Sequence, residues 1–157
     1  MPLIPSSLAT SLENEWLAKE NGNFPDSVSV SADRFSTAVA KWFSTAIAGP
    51  GAVTTASARR PQLASQAIAA LSAMAPQAAG SLLGAAVAAY ITGQAFGAGV
   101  AGVPLAAAAG GADIGGAFAD LDAAPSARAQ RIANACQTIA VSTIVIFPPP
   151  LPPAPVT

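Results

Sequence analysis

The chain has 157 residues, enough for one domain with its own core, but only 7 Lys or Arg, 8 Asp or Glu, no His and a single Cys. A net charge of −1 supplies no basic field for nucleic acid, and one Cys without His leaves a zinc site or a Ser-His or Cys-His nucleophile pair without its parts. Charged residues are 10% of the chain, too few to cover a solitary domain, so much of its surface is expected to lie against other chains.

The opening MPLIPSSLATSLENEW lacks the basic and apolar regions of a secretory signal. Ser6 or Ser7 is placed to cap a helix carrying Leu8, Leu12 and Trp16 on one face and ending near Asn21-Gly22. Phe24-Pro25 then gives an extended entry, and Asp26 is the expected cap of a longer helix reaching Gly49. Its stripe is Val28, Ala32, Phe35, Val39, Trp42 and Ala46, widened by Phe43 and Ile47. Residues 28–30 alternate well enough to admit a short strand instead. The aromatic stripe reads as core, but Trp is enriched at binding hot spots, which makes Trp42 an interface candidate.

Gly49-Pro50-Gly51 stops that helix, and Pro61 suits the first turn of a third one bearing Leu63, Ala67, Leu71 and Met74. Arg59 and Arg60 stand where a helix N-terminus disfavours positive charge. Either they meet an anionic partner, a carboxylate of a neighbouring subunit or a phosphate, or they form a solvated turn. Residues 61–112 contain no Asp, Glu, Lys or Arg, and 28 of these 52 residues are Ala or Gly. A fourth helix is expected from about 77 to 97, opened by Pro76. The pairs Gly80/Gly84 and Gly93/Gly97 match G-x-x-x-G, so Gly84 and Gly93 are the expected points of close helix contact. The uncharged window 78–97 is long enough to span a bilayer. Its Ser81, Thr92, Gln94 and four glycines, and the lack of flanking Lys or Arg, count against that use.

Residues 98–112 are Gly-rich and interrupted by Pro104, which predicts a close-packed loop with at most a helical turn at 105–109. A short helix over 114–121 follows from Ile114, Phe118 and Leu121. Asp113, Asp120 and Asp122 provide too few oxygen ligands for a calcium loop and read as caps and turns. Pro125 opens the last helix, with Ile132, Cys136, Ile139 and Thr143 on one face. Residues 141–147 are β-branched enough for a strand but admit the end of the helix as well, and the prolines at 148–150 forbid a helix from continuing. The end, PPPLPPAPVT, favours polyproline II. It is expected to leave the domain at Phe147 as a docking arm anchored by Leu151 and Val156. No repeat is evident, since 32–47 and 82–97 are only loosely alike.

The expected architecture is mainly α: a small bundle of about five helices over residues 1–147, with an extended proline-rich C-terminal arm over 148–157. Neither catalytic residues nor a cofactor, metal or small-molecule substrate is expected. The interface candidates are Trp42, Arg59, Arg60, Gly84, Gly93, Phe147, Leu151 and Val156.

A polar N-terminal helix, the aromatic Ala helix SADRFSTAVAKWFSTA (31–46), the segment GQAFGAGVAGVP (93–104) and the end FPPPLPPAPVT (147–157) occur here in one order. In that order and composition the chain resembles small Ala-rich virion proteins of tailed bacteriophages. The resemblance implies a structural role in the tail, neck or baseplate of a phage particle or a related contractile injection machine. It also implies synthesis in the host cytoplasm, with other virion proteins and copies of the chain itself as partners. The alternative from a different class is a membrane-inserted helical protein such as a holin-like pore former.

Overall fold

A unit of two helices and a β-hairpin occurs three times in the computed structural model, which describes residues 3–17 and 25–157. Helix α1 (Pro5–Leu12), continued by a π-helical turn at Glu13–Leu17, and α2 (Val28–Phe43) lead into β1 (Ile47–Ala48) and β2 (Gly51–Ala52). Helices α3 (Arg60–Leu71) and α4 (Pro76–Ile91) lead into β3 (Ala95–Phe96) and β4 (Gly99–Ala101). Helices α5 (Ala107–Ala119) and α6 (Pro125–Val141) lead into β5 (Ile144–Ile146) and β6 (Ala154–Pro155). The chain is therefore mainly helical, as expected, with strands that the helical periodicity had not separated out. The end of the first helix near Asn21-Gly22 lies outside the described residues.

Local chemistry sets the boundaries. Proline stands in the first turn of α1, α3, α4 and α6, where a missing N–H costs nothing. Ser27, not Asp26, caps α2 by accepting the Val30 N–H at 3.2 Å. The α2 helix stops at Phe43 rather than Gly49 because Ser44 and Thr45 turn their hydroxyls back onto the carbonyls of Lys41 and Trp42, at 2.6 and 2.8 Å. At the end of α4 the Thr92 hydroxyl donates to Ala88 O at 2.8 Å, and at the end of α6 the Ser142 hydroxyl donates to Ile139 O at 2.7 Å. The expected helix 77–97 is thus broken, and Gly93, with φ +78°, makes the turn into β3. The window 78–97 is not one helix.

The six strands close on themselves. Consecutive strands pair antiparallel within each hairpin and again between β4 and β5. Val53 bridges to Phe96 and Val156 bridges to Ala48, which joins the first hairpin to the second and the third back to the first. Ile47 and Thr157 exchange both backbone hydrogen bonds at 3.0 and 2.8 Å across that last seam. The expectation of a free arm over 148–157 is therefore corrected: this stretch turns back and completes the ring. Phe147 and Val156 are buried in it rather than offered to a partner. The ring is narrow enough that a Cβ on Gly99 would fall 2.5 Å from the Phe147 ring, and one on Gly51 would fall 2.3 Å from Phe96 O. Glycine leaves space there for the aromatic filling.

The same three-fold order governs the helices. Val28, Pro76 and Pro125 open the second helix of each unit, 48 and then 49 residues apart. Buried positions recur in step: Phe35, Leu83 and Ile132; Ser36, Gly84 and Ala133; Val39, Val87 and Cys136; Trp42, Tyr90 and Ile139. Ala48, Phe96 and Val145 follow as the buried strand positions. The repeat is hidden in the sequence because the loosely similar stretches 32–47 and 82–97 are two residues out of step with it, and because the shared feature is burial and not residue identity. Each helix packs on the next in sequence, and α6 packs back on α1.

The closest crossing joins α4 to α5. A Cβ on Gly80 would lie 2.1 Å from Gly115 N, and one on Gly84 would lie 2.6 Å from Gly111 Cα. Thus Gly80/Gly84 faces a second G-x-x-x-G pair, Gly111/Gly115, inside the segment expected to be mostly loop. That segment is helical from Ala107 because its lack of side-chain bulk lets it wedge between α4 and α6, where a Cβ on Gly110 would meet the Ile139 side chain at 2.5 Å. Tertiary packing outweighs the poor intrinsic propensity of glycine.

Gly80→Ala is expected to lower stability by about 1–3 kcal/mol despite its better helix propensity, because two backbones must separate. A urea midpoint equal to that of the wild type would refute the crossing. Removing residues 154–157 is expected to lower the thermal midpoint by roughly 5–10 °C through lost Val156 burial and an opened ring. An unchanged midpoint would restore the free-arm expectation.

Candidate interaction surface

Most of the expected interface residues are occupied within the chain. The Trp42 side chain is buried and its Nε1 donates to Ile4 O at 3.1 Å, tying the N-terminal segment to α2. Arg59 sits at the start of α3 but points to the end of α4, where its Nη1 donates to Thr92 O and its Nη2 to Ala89 O at 3.4 Å. The exposed carbonyls and the partial negative charge of that helix end are what this guanidinium meets, which accounts for its place beside a helix N-terminus. Arg60 forms an ion pair with Asp33 and donates to the Thr37 hydroxyl at 3.3 Å, linking α3 to α2. That pair is half in solvent and adds little stability. Gly84 is a contact between helices of one chain, and Gly93 serves as a turn. Leu151 alone of the eight is an apolar side chain open to solvent, 42% exposed.

A different set of residues forms an apolar face. On the outside of the ring Val100 stands opposite Ile146 across the β4–β5 pair, and Ile144 lies on the same side two residues away. The Gly102 N–H donates to Ile144 O at 2.9 Å and the Ala106 N–H to the Ser142 hydroxyl at 3.0 Å. The exposed Val103 and Leu105 consequently run beside the start of β5 and the exposed Val141 at the end of α6. Neither contributing stretch, 61–112 or 132–157, contains an Asp, Glu, Lys or Arg.

The other two joints between units differ. At equivalent outward positions the first carries Ala52, Ala95 and Gly97, and the third carries Pro155, Ile47 and Gly49. Only the joint between the second and third units combines three large aliphatic side chains. A sequence signal for it existed in Thr143-Ile-Val-Ile-Phe147. In such a run alternate residues enter the core, here Thr143, Val145 and Phe147, while Ile144 and Ile146 leave an equally apolar outer face.

The reactive side chains are sealed. Cys136 is fully buried among apolar groups, which pushes its thiol up to about 12. The Tyr90 hydroxyl donates to Ala56 O at 2.9 Å, and burial holds its phenol well above its ordinary value. Asp120 faces Arg131 at 3.6 Å. Among the described residues no group of three His, Cys, Asp or Glu is placed to hold a metal ion, and no helix is long and apolar enough to cross a membrane. A shallow cleft of about 320 Å³ between α3 and α4 is lined by Gln66, Ala69, Leu82, Ala85, Ala86 and Ala89. No family model, curated protein or solved structure matches the chain.

Cys136 occupies the position that Val39 and Val87 fill in the other units, so Cys136→Val is expected to change stability at pH 7 by less than about 1.5 kcal/mol. The buried thiol keeps its proton after the unfolded thiol, with an ordinary value of 9.0, has lost it. Stability therefore falls as pH rises from that value toward about 12, at about 1.4 kcal/mol per unit for this group. Between pH 8 and 10 the valine variant is expected to lose about 1.4 kcal/mol less than the wild type in urea titrations. Parallel losses in the two proteins would contradict the burial of the thiol.

Proposed function

We propose that this chain is a non-enzymatic structural subunit of a larger particle, and that the particle is the tail, neck or baseplate of a tailed phage or a related contractile injection machine. The observation that carries the assembly reading is the uncharged outer face of the β4–β5 pair, where large aliphatic side chains stand in solvent with no charge beside them in sequence. A contiguous apolar face of this kind gains free energy when another protein covers it. The closed ring leaves no row of unpaired strand groups, so assembly proceeds through faces and not by adding strands to an edge. The virion part of the reading rests on the resemblance of segments 31–46, 93–104 and 147–157. The partners are then other virion proteins and copies of the chain, met after synthesis in the host cytoplasm.

A holin-like pore former has less support. The uncharged window 78–97 on which it depends ends its helix at Ile91 and continues as a turn and a strand. The test is fractionation of particles from producing cells on a density gradient, with the chain followed by mass spectrometry. It is expected to migrate with intact particles at a fixed copy number. Recovery in the membrane fraction, or none in the particle band, would overturn the proposal.

A further inference from the structure

We propose that the outer face of the β4–β5 joint is the surface through which two copies of this chain form a closed two-fold dimer. This inference rests on the assembly reading and specifies its first contact.

Val100, Val103, Leu105, Val141, Ile144 and Ile146 are between 41% and 87% exposed. At these exposures the six residues leave roughly 600 Å² of surface per chain, backbone included, so two facing copies can draw about 1,200 Å² from them, the lower end of a standard interface. A face of this extent is at the upper end of what a single domain leaves in water.

Charge selects the occupant. In a two-fold interface a patch meets its own image, and any ionised group near its centre faces a like charge. Here the Asp, Glu, Lys and Arg side chains all fall outside 61–112 and 132–157, the stretches that build the face. A second copy therefore meets no like charge among the residues that build the face. An acidic or basic protein partner would find no opposite charge among the residues of the face itself.

The three-fold repeat supplies an independent argument about stoichiometry. Equivalent joints would create three such faces, and association would branch. Because the other two present Ala, Gly and Pro beside the single Ile47, one face per chain remains, and a two-fold contact closes with two copies.

The experiment is sedimentation equilibrium on the intact chain and three variants, with circular dichroism to verify the fold. The wild type is expected to be dimeric at about 10 μM. Ile146→Lys and Leu105→Lys are each expected to raise the dimer dissociation constant at least about a hundredfold, because each places two like charges at the contact. Leu105 is 87% exposed, so its replacement tests the contact even if Ile146→Lys disturbs the sheet. Leu121→Lys, in the α5–α6 turn at the far end of these helices from the ring, is expected to leave the constant unchanged. A wild-type monomer at about 100 μM, or a dimer indifferent to both face substitutions, would overturn the inference. Weaker association in Leu121→Lys equal to that in the face variants would do the same. Such a failure is separate from that of the virion reading, which is decided by whether the chain travels with particles.

Discussion

The backbone exchange between Ile47 and Thr157 is the constraint on which the rest depends. It joins positions 110 residues apart and converts three short hairpins into a ring without edges. Two- and three-residue strands are marginal by themselves. Closure gives each of them two neighbours, and Phe96, Val145, Phe147 and Val156 fill the small interior that results. The glycines that line the ring are needed because this interior holds aromatic side chains with little room to spare.

Below the ring, the repeated burial pattern lets each helix pair pack on the next by the same rule. Phe43 meets Tyr90 and Phe96 at ring-centroid distances of 5.7 and 6.1 Å, so the first unit supplies the aromatic centre beneath the second. The units are not interchangeable. The crossing of α4 on α5 uses glycine against glycine, whereas α2 carries Ala32 and Ser36 at the positions equivalent to Gly80 and Gly84. Volume removed in one part of the helix ring is supplied in another, which keeps the interior packed while residue identities diverge.

The proposed function starts from where this pattern is left incomplete. A three-fold arrangement would make its outward joints alike, and two of them do carry mostly small residues, Ala, Gly and Pro beside the single Ile47. The joint between the second and third units instead exposes valine and isoleucine from strands that are also apolar inside. The Val100–Ile146 pair supports the β4–β5 joint while leaving both side chains in water. Covering them would add the free energy of apolar burial, and this is why the proposed assembly and the proposed dimer both centre on that face.

Particular residues mark how far the sequence reached. The stripe at Phe35, Val39 and Trp42, the proline starts of three helices, and the β-branched character of 144–146 were legible because periodicity, missing donors and β-branching act locally, whereas the first helix starts at Pro5 and not after a Ser6 or Ser7 cap. The mainly helical class followed from them. The pairing of Arg59 with the end of α4, the conversion of Ala107–Ala119 from loop to helix, and the use of Val156 as a ring closure were not legible. Each depends on a partner distant in sequence, and glycine or proline composition alone predicts a loop or a free arm. The interaction face shows the same division. Alternation in 143–147 made an outward apolar row derivable, but its position opposite Val100 is a matter of strand register, which only the closed ring decides.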